Sequence, residues 1–191
     1  MNRFWAFAVV VAVAARAEAP AKPLISPACL SPTLDRKASL ATIHSGKVSL
    51  LRDVAPAISV ETGTYTVCVD DSADSGPKRV VALGHGLALV LYAPAASLTK
   101  AESSAASWKS LRARVKEEAQ QVGCLKQLAA GTELFARPGG EKVGQVIEPT
   151  PYGKWDSAED SGVHWSMLKV NVGFGMIKVW IKDDGRDWCP E

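Results

Sequence analysis

Short runs rich in apolar and β-branched residues recur along most of this chain, and such runs bounded by turn residues are typical of β-strands. Six such runs precede residue 98, at 40–43, 48–51, 58–60, 65–69, 80–83 and 87–92. Four more follow residue 124, at 133–136, 142–147, 164–170 and 176–182. Glycine and proline separate most of the runs, which favours antiparallel strands over helices. The pattern predicts two β-units, 29–98 and 124–191.

A repeated segment relates the two units. The first copy has an acidic turn at 71–76 followed by Gly-His-Gly at 84–86, and the second has an acidic turn at 156–162 followed by Gly-Phe-Gly at 173–175. In each copy the turn precedes an apolar run, a Gly-x-Gly tip and another apolar run, which is the order of a β-hairpin. The repeat therefore predicts one similar hairpin in each unit.

Residues 99–123 have a helical period and predict a helix that connects the two units. Thr99 and Glu102 form a capping box, and Gly123 is a suitable helix stop. The apolar residues recur at spacings of three and four, and they are Trp108, Leu111, Val115, Ala119 and Val122.

The run 87–92 is apolar at both its odd and its even positions, so we expect cover on both faces of this strand. One row consists of Leu87, Leu89 and Leu91. We expect this row to lie under the predicted helix or against the second unit. Either contact would make the units one rigid body.

Residues 1–17 have the three parts of a secretory signal peptide, with Arg3, an apolar run at 4–14 and the small-x-small sequence Ala15-Arg16-Ala17. The apolar run has about half of the roughly twenty residues that a membrane-spanning helix needs. We therefore expect a secreted or periplasmic protein with no transmembrane segment after cleavage of the signal. The proline-rich residues 18–28 predict an extended linker.

The chain has four cysteines, an even number that suits disulfides in an exported protein. The favoured pairing joins Cys29 to Cys68 and Cys124 to Cys189, because each pair then lies within one unit. A bond between Cys68 and Cys124 stays open as an alternative.

The charge of the mature chain argues against a nucleic-acid partner. The full sequence has 22 basic and 20 acidic residues, and removal of Arg3 and Arg16 with the signal leaves 20 of each. Proteins that bind nucleic acids normally carry a basic excess that displaces counterions from phosphates.

No residue pattern indicates catalysis, a metal or a cofactor. His85 corresponds to Phe174 in the repeat, no histidine has a second histidine at ligand spacing, and the acidic turns lack the spacing of a calcium loop. Disulfide formation would remove the cysteine nucleophiles. We expect a protein that is not an enzyme; a small hydrolase would need a reduced cysteine or a cluster around a histidine.

Three segments of the second unit match a known pattern. Residues 134–146 (LFARPGGEKVGQV) are similar to an opening strand, glycine loop and second strand; 165–170 (WSMLKV) to a tryptophan-led third strand; and 179–181 (VWI) to a Gly-Trp-Val segment. They resemble those of the bacterial Src-homology-3-like (SH3-like) family, small barrels often found in secreted cell-envelope proteins. The resemblance implies two SH3-like β-barrels joined by one α-helix, the first unit being a divergent repeat.

Alternation in the last strand places Trp180 with Lys178 and Lys182 on the face opposite Ile177, Val179 and Ile181. Trp180 between two lysines predicts a platform for a sugar ring or a peptide, assisted by Trp155, Trp165 and Tyr152. The alternative is that Trp180 packs against the helix or the other unit.

The family resemblance implies a non-catalytic binding module that recognises a cell-wall peptide, a glycan or an envelope protein. A secreted inhibitor or an accessory subunit of another envelope protein is the alternative.

Overall fold

The computed structural model describes residues 23–30, 39–44, 46–54, 58–60, 65–70, 76–100, 125–173, 175–185 and 188. The predicted signal peptide, the predicted helix after residue 100, and Cys124 and Cys189 lie outside these ranges. For the described residues, the prediction of a mainly β protein is confirmed.

The elements of the first half are α1 (Pro27–Leu30), β1 (Ser39–Ile43), β2 (Gly46–Val48), β3 (Ile58–Val60), β4 (Tyr65–Val69), β5 (Lys78–Gly84), β6 (Leu87–Ala93), a 3-10 turn (Ala95–Ser97) and β7 (Leu98–Lys100). Those of the second half are β8 (Leu125–Leu128), β9 (Glu133–Phe135), β10 (Lys142–Val146), β11 (Thr150–Gly153), β12 (Asp156–Asp160), β13 (Val163–Asn171) and β14 (Met176–Asp183).

Strands from both halves join in one ten-stranded sheet, in the order β12-β13-β14-β9-β10-β6-β5-β4-β1-β7. Two small sheets, β8 with β11 and β2 with β3, accompany it. Two SH3-like barrels joined by a helix are not shown by the described residues, in which β10 of the second half pairs directly with β6 of the first within one large sheet. A strand that is apolar on both faces is best buried inside a sheet, and this explains why β6 occupies a central position.

The two predicted hairpins are confirmed. β5 and β6 pair from Lys78 opposite Ala93 to Gly84 opposite Leu87, and β13 and β14 pair from His164 opposite Asp183 to Asn171 opposite Met176. In the second copy the acidic segment is not only a turn, because residues 156–160 form the edge strand β12 and the turn follows at 161–162. Residues 71–75 of the first copy lie outside the described ranges.

Each hairpin tip contacts the opposite half of the molecule. At the first tip, Gly86 lies against Thr150 and its carbonyl accepts hydrogen bonds from the amides of Ile147 and Glu148. At the second tip, Gly173 lies beside the ring of Tyr65. These reciprocal contacts add to the β6–β10 pairing in holding the halves together.

The larger hydrophobic core is shared by both halves. Leu87, Leu89 and Leu91 are fully buried there, together with Val179 and Ile181 of the second hairpin. The prediction that the leucine row packs against the second unit is therefore confirmed.

The other face of β5 and β6 is covered by residues 23–30, here called the strap. Ile25 and Cys29 are each 1% exposed and pack with Val81 and Val90 in a second core. Residues 23–28 of the predicted extended linker therefore pack on the sheet, because Ile25 supplies an apolar side chain that the sheet buries.

Polar contacts fasten the strap to the sheet. The Arg79 guanidinium donates to the carbonyl of Leu24 and forms an ion pair with Asp70, with 2.9 Å between nitrogen and oxygen. The same Asp70 carboxylate accepts a hydrogen bond from the backbone amide of Ser26 at 3.3 Å.

The predicted Cys29–Cys68 disulfide is confirmed, with the two Cα atoms 5.7 Å apart. It joins the strap to β4 and excludes the alternative bond from Cys68 to Cys124. The predicted Cys124–Cys189 bond lies outside the described residues.

The double variant Cys29→Ala/Cys68→Ala is expected to be destabilised by about 4 kcal/mol, because the bond closes a loop with a sequence separation of 39. Urea unfolding followed by circular dichroism measures the change in free energy of unfolding. A midpoint equal to that of the wild type would mean that packing alone holds the strap.

Two further expectations need correction. Thr99 and Lys100 belong to β7, which pairs with β1, so a helix does not begin at Thr99. Proline was predicted to separate the strand runs, but Pro151, together with Thr150, belongs to β11 of a two-stranded sheet. Proline is tolerated in such edge strands because the N–H that it lacks is not needed by a neighbouring strand.

Candidate functional site

β14 has the predicted alternation. Ile177, Val179 and Ile181 are buried in the shared core, Lys178 and Lys182 are exposed, and Trp180 is half-buried. The bulky branched residues face the core, while the lysine ammonium groups stay in water. The Trp180 side chain is therefore partly packed against its neighbours and partly accessible to solvent.

The strand register extends this surface over β13. Lys169 lies directly opposite Lys178, and Met167 lies directly opposite Trp180. Trp180 in turn pairs with Phe135 of β9 on its other side. We call the surface formed by Trp155, Lys169, Lys178, Trp180 and Lys182 the lysine–tryptophan face.

Trp155 is the most exposed aromatic residue of this face, with 45% of its surface accessible. Its backbone amide bonds to the carbonyl of Met167, which continues the pairing of β12 with β13. The Lys169 ammonium lies 3.5 Å from the centre of the indole ring, a cation–π contact that orients both side chains.

Trp165 was expected on the same surface, but it is 3% exposed. Its ring meets Phe135 edge to face at 5.1 Å between centroids, and the Lys182 ammonium lies 5.9 Å from its centre. Its indole Nε1–H has no hydrogen-bond partner among the described residues. Trp165 therefore supports the lysine–tryptophan face from below and does not offer a ring to a ligand.

Tyr152 does not belong to the face, which corrects its predicted role. It lies on β11, is 8% exposed, and its hydroxyl donates to the carbonyl of His85 at the first hairpin tip. Burial raises the pKa of the phenol above its usual value. Its packing helps to hold that tip in place.

Lys169 is the residue of the face that sequence reasoning missed. The sequence contains the information needed to predict its position, because Lys169 stands four residues after Trp165 and therefore lies on the same face of the strand. Counting pairs outward from the Gly-x-Gly tip places it opposite Lys178 once the hairpin register is known.

A second polar cluster surrounds Asp183 at the end of β14. Its carboxylate accepts hydrogen bonds from Lys126 Nζ and Trp188 Nε1, both at 2.8 Å, and from the hydroxyl of Ser166. Burial alone would raise the pKa of Asp183, but these bonds and one from the Asp184 amide outweigh it and hold the pKa well below its usual range. The cluster connects β8, β13, β14 and the C-terminal segment.

The Asp183 cluster forms one wall of a polar cleft of about 270 Å³, lined by Lys154, Ser157, Ala158, Glu159, His164, Trp165, Ser166, Asp183 and Gly185. Gly185 has a φ of +73°, and a Cβ there would lie 2.8 Å from the His164 ring, so glycine allows the imidazole to form the cleft wall. Ser166 donates to Asp183 and not to His164, so these three residues do not form a nucleophile–base–acid relay.

Within the described ranges, no group of three or more histidine, cysteine, aspartate or glutamate side chains is placed to hold a metal ion. No helix in this part of the chain is long and apolar enough to cross a membrane. Comparisons with family models, curated proteins and solved structures found no match to this chain.

Proposed function

We propose that this protein is a non-catalytic binding module of the cell envelope that holds an acidic cell-wall peptide or glycan on its lysine–tryptophan face. The observation that carries the proposal is the direct opposition of Lys169 and Lys178 on the solvent side of the sheet, beside the exposed ring of Trp155. The face thus combines positive charge with aromatic surface.

Like charges directly opposite on neighbouring strands destabilise a sheet. A ligand carboxylate between the two ammonium groups would replace this repulsion by two charge-assisted hydrogen bonds. Trp155 and the accessible part of Trp180 would offer apolar surface to a sugar ring or a peptide on either side of the anion.

The proposal includes the location of the protein outside the cytoplasm and the relation of its second half to the SH3-like family. The Cys29–Cys68 disulfide is compatible with an oxidising compartment outside the cytoplasm. The SH3-like resemblance of the second half involves segments that fall largely in β9, β10, β13 and β14, and the last two of these strands carry most of the lysine–tryptophan face.

Retention of the purified protein on purified cell wall tests the proposal. The variants Lys178→Ala and Trp155→Ala are expected to bind about tenfold more weakly, since each removes one direct contact of about 1.4 kcal/mol. Lys47→Ala is the matched control, because Lys47 is an exposed strand lysine of β2, in the other half of the chain. Circular dichroism verifies that all three variants are folded.

Equal retention of the wild type, Lys178→Ala and Trp155→Ala would refute a role for this face. Trp180→Ala is a further variant, although its half-buried ring makes a loss of stability part of the expected result. Purification of the wild type with a stoichiometric protein partner would favour an inhibitor or accessory subunit.

A further inference from the structure

We propose that the open edge of β12 binds an extended basic peptide, which joins the sheet as a further antiparallel strand. β12 (Asp156–Asp160) is the last strand at its end of the ten-stranded sheet, and among the described residues it pairs only with β13. A strand in this position presents backbone N–H and C=O groups that have no partner within the sheet. A peptide that supplies those partners binds by strand addition.

The turn between β12 and β13 fixes the hydrogen-bonding pattern of β12. The turn consists of Ser161 and Gly162, and both residues have a positive φ, at 53° and 75°. This is the backbone conformation of a two-residue type I′ hairpin turn. In such a hairpin the flanking residues, here Asp160 and Val163, exchange both of their backbone hydrogen bonds.

Counting from this pair identifies the backbone groups that point away from the sheet. Hydrogen-bonded and non-hydrogen-bonded pairs alternate along an antiparallel ladder, so the N–H and C=O groups of Ser157 and Glu159 point outward. The Ser157 amide agrees with this count, because it donates to the exposed carboxylate of the neighbouring Asp156 at 2.8 Å. An antiparallel peptide can therefore exchange two backbone hydrogen bonds with each of these two outward residues.

The side chains of β12 select the charge of the peptide. β12 has five residues, of which Asp156, Glu159 and Asp160 are acidic and none is basic. Asp156 and Asp160 form no ion pair with a described residue, and Glu159, which is 65% exposed, has only the His164 imidazole at 4.0 Å. Opposite charges on neighbouring strands stabilise their pairing, so a strand that carries lysine or arginine complements this edge.

The same charges disfavour a second copy of this chain as the occupant. Two β12 edges that paired with each other would bring two acidic strands side by side, and like charges in such a pair repel. Charged edge strands commonly prevent self-association in this way. A basic strand is attracted where an identical copy is repelled, so the charge of β12 discriminates between the two partners.

The register of β12 determines the design of a probe peptide. In an antiparallel strand of five residues, the first, second and fifth lie opposite Asp160, Glu159 and Asp156, and these three positions call for lysine. The third and fourth lie opposite Ala158 and Ser157, where β-branched residues favour an extended backbone. The probe is therefore Lys-Lys-Val-Thr-Lys, acetylated and amidated at its ends.

Titration of the purified protein with this peptide, followed by two-dimensional amide NMR, tests the proposal. Saturable shifts are expected at residues 156–160. At saturation the amide of Glu159 is expected to exchange its hydrogen at least about tenfold more slowly, because its N–H gains a partner. The amide of Ala158, which points toward β13, is the internal control, and its exchange is expected to change less.

Two methylated peptides separate strand addition from the attraction between charges. N-Methylation of the second and fourth residues removes the donors to Glu159 and Ser157 but keeps every charge, and it is expected to weaken binding at least about tenfold. N-Methylation of the third and fifth residues is the matched control, because those N–H groups point away from β12. The second methylated peptide is expected to bind about as well as the unmethylated one.

Variants of the protein test the contribution of charge. Glu159→Gln is expected to weaken peptide binding about threefold. Glu133→Gln is the control, because Glu133 is an exposed glutamate of β9, which lies inside the sheet and away from this edge. Lys178→Ala is expected to leave peptide binding unchanged, so this inference and the proposed wall-binding function can fail separately.

Equal binding of the two methylated peptides would overturn the proposal, as would unchanged exchange of the Glu159 amide at saturation. The absence of saturable shifts well above about 1 mM peptide would also overturn it. Self-association of the protein through β12 without peptide would place a second copy at this edge and would contradict the proposal in the same way.

Discussion

Gly144→Ala is expected to lower the free energy of unfolding by about 3 kcal/mol, at the upper end of the cost of overpacking. A Cβ at residue 144 would clash with the carbonyl oxygen of Ala88 and would lie 2.8 Å from the side chain of Leu89. Gly144 pairs with Leu89 where β10 meets β6, so the clash falls on the junction of the two halves. Urea unfolding followed by circular dichroism measures the effect.

Gly140→Ala is the matched control for this variant. Its Cβ would also meet a neighbour closely, but the close atom is the Cγ of Arg137 in a surface turn, which a change of rotamer can move, and the Arg137 carbonyl oxygen lies at 3.2 Å. Gly140 and Gly144 both lie outside the left-handed region of φ, so the comparison concerns space alone. A Gly144→Ala protein as stable as Gly140→Ala would contradict the close β6–β10 contact.

Asp183→Asn is expected to destabilise the protein by about 3 kcal/mol, because hydrogen bonds to a buried charge contribute roughly 1.5–3 kcal/mol each and their loss leaves donors poorly paired. The donors affected are Lys126, Ser166 and Trp188, and the Asp183 side chain is only 2% exposed. Urea unfolding at neutral pH measures the change. Asp184→Asn is the control, because Asp184 contacts the same lysine from a side chain that is 49% exposed.

The contribution of Asp183 also depends on pH. Its pKa is depressed in the folded protein relative to about 3.9 in an unfolded chain, so its stabilisation is complete well above pH 4 and is lost as the pH falls below this value. The difference in unfolding free energy between wild type and Asp183→Asn is therefore expected to shrink under acidic conditions. A difference that stays constant down to pH 2 would contradict a buried ionised carboxylate.

Local pattern was sufficient to predict the strands of both hairpins. In β14 the alternation of apolar and polar residues placed Ile177, Val179 and Ile181 in the core and left Lys178 and Lys182 in solvent, as the structure has them. The Cys29–Cys68 pairing was favoured because both cysteines lie in one unit, but the sequence left the Cys68–Cys124 bond open, and only the structure excluded it. β12 was missed because its acidic sequence resembles a turn, and β11 because it contains proline.

The candidate site could be predicted only in part. The row of Lys178, Trp180 and Lys182 follows from a period of two, which is a property of one strand. The burial of Trp165 depends on the ring of Phe135, which arrives from β9, about thirty residues earlier in the chain. Tyr152 is removed from the surface by a hydrogen bond to the first hairpin tip.

The repeated hairpins show most clearly what the sequence determined and what it could not. The Gly-x-Gly tips and the flanking apolar runs determine two hairpins, because turn geometry and alternation are local. Counted from the tips, Leu89 and Leu91 of β6 correspond to Lys178 and Trp180 of β14, yet the leucines lie in the shared core and the lysine faces solvent. Only the tertiary structure decides this difference, because pairing of β6 with β10 places one face of β6 in the shared core and leaves the other to the strap.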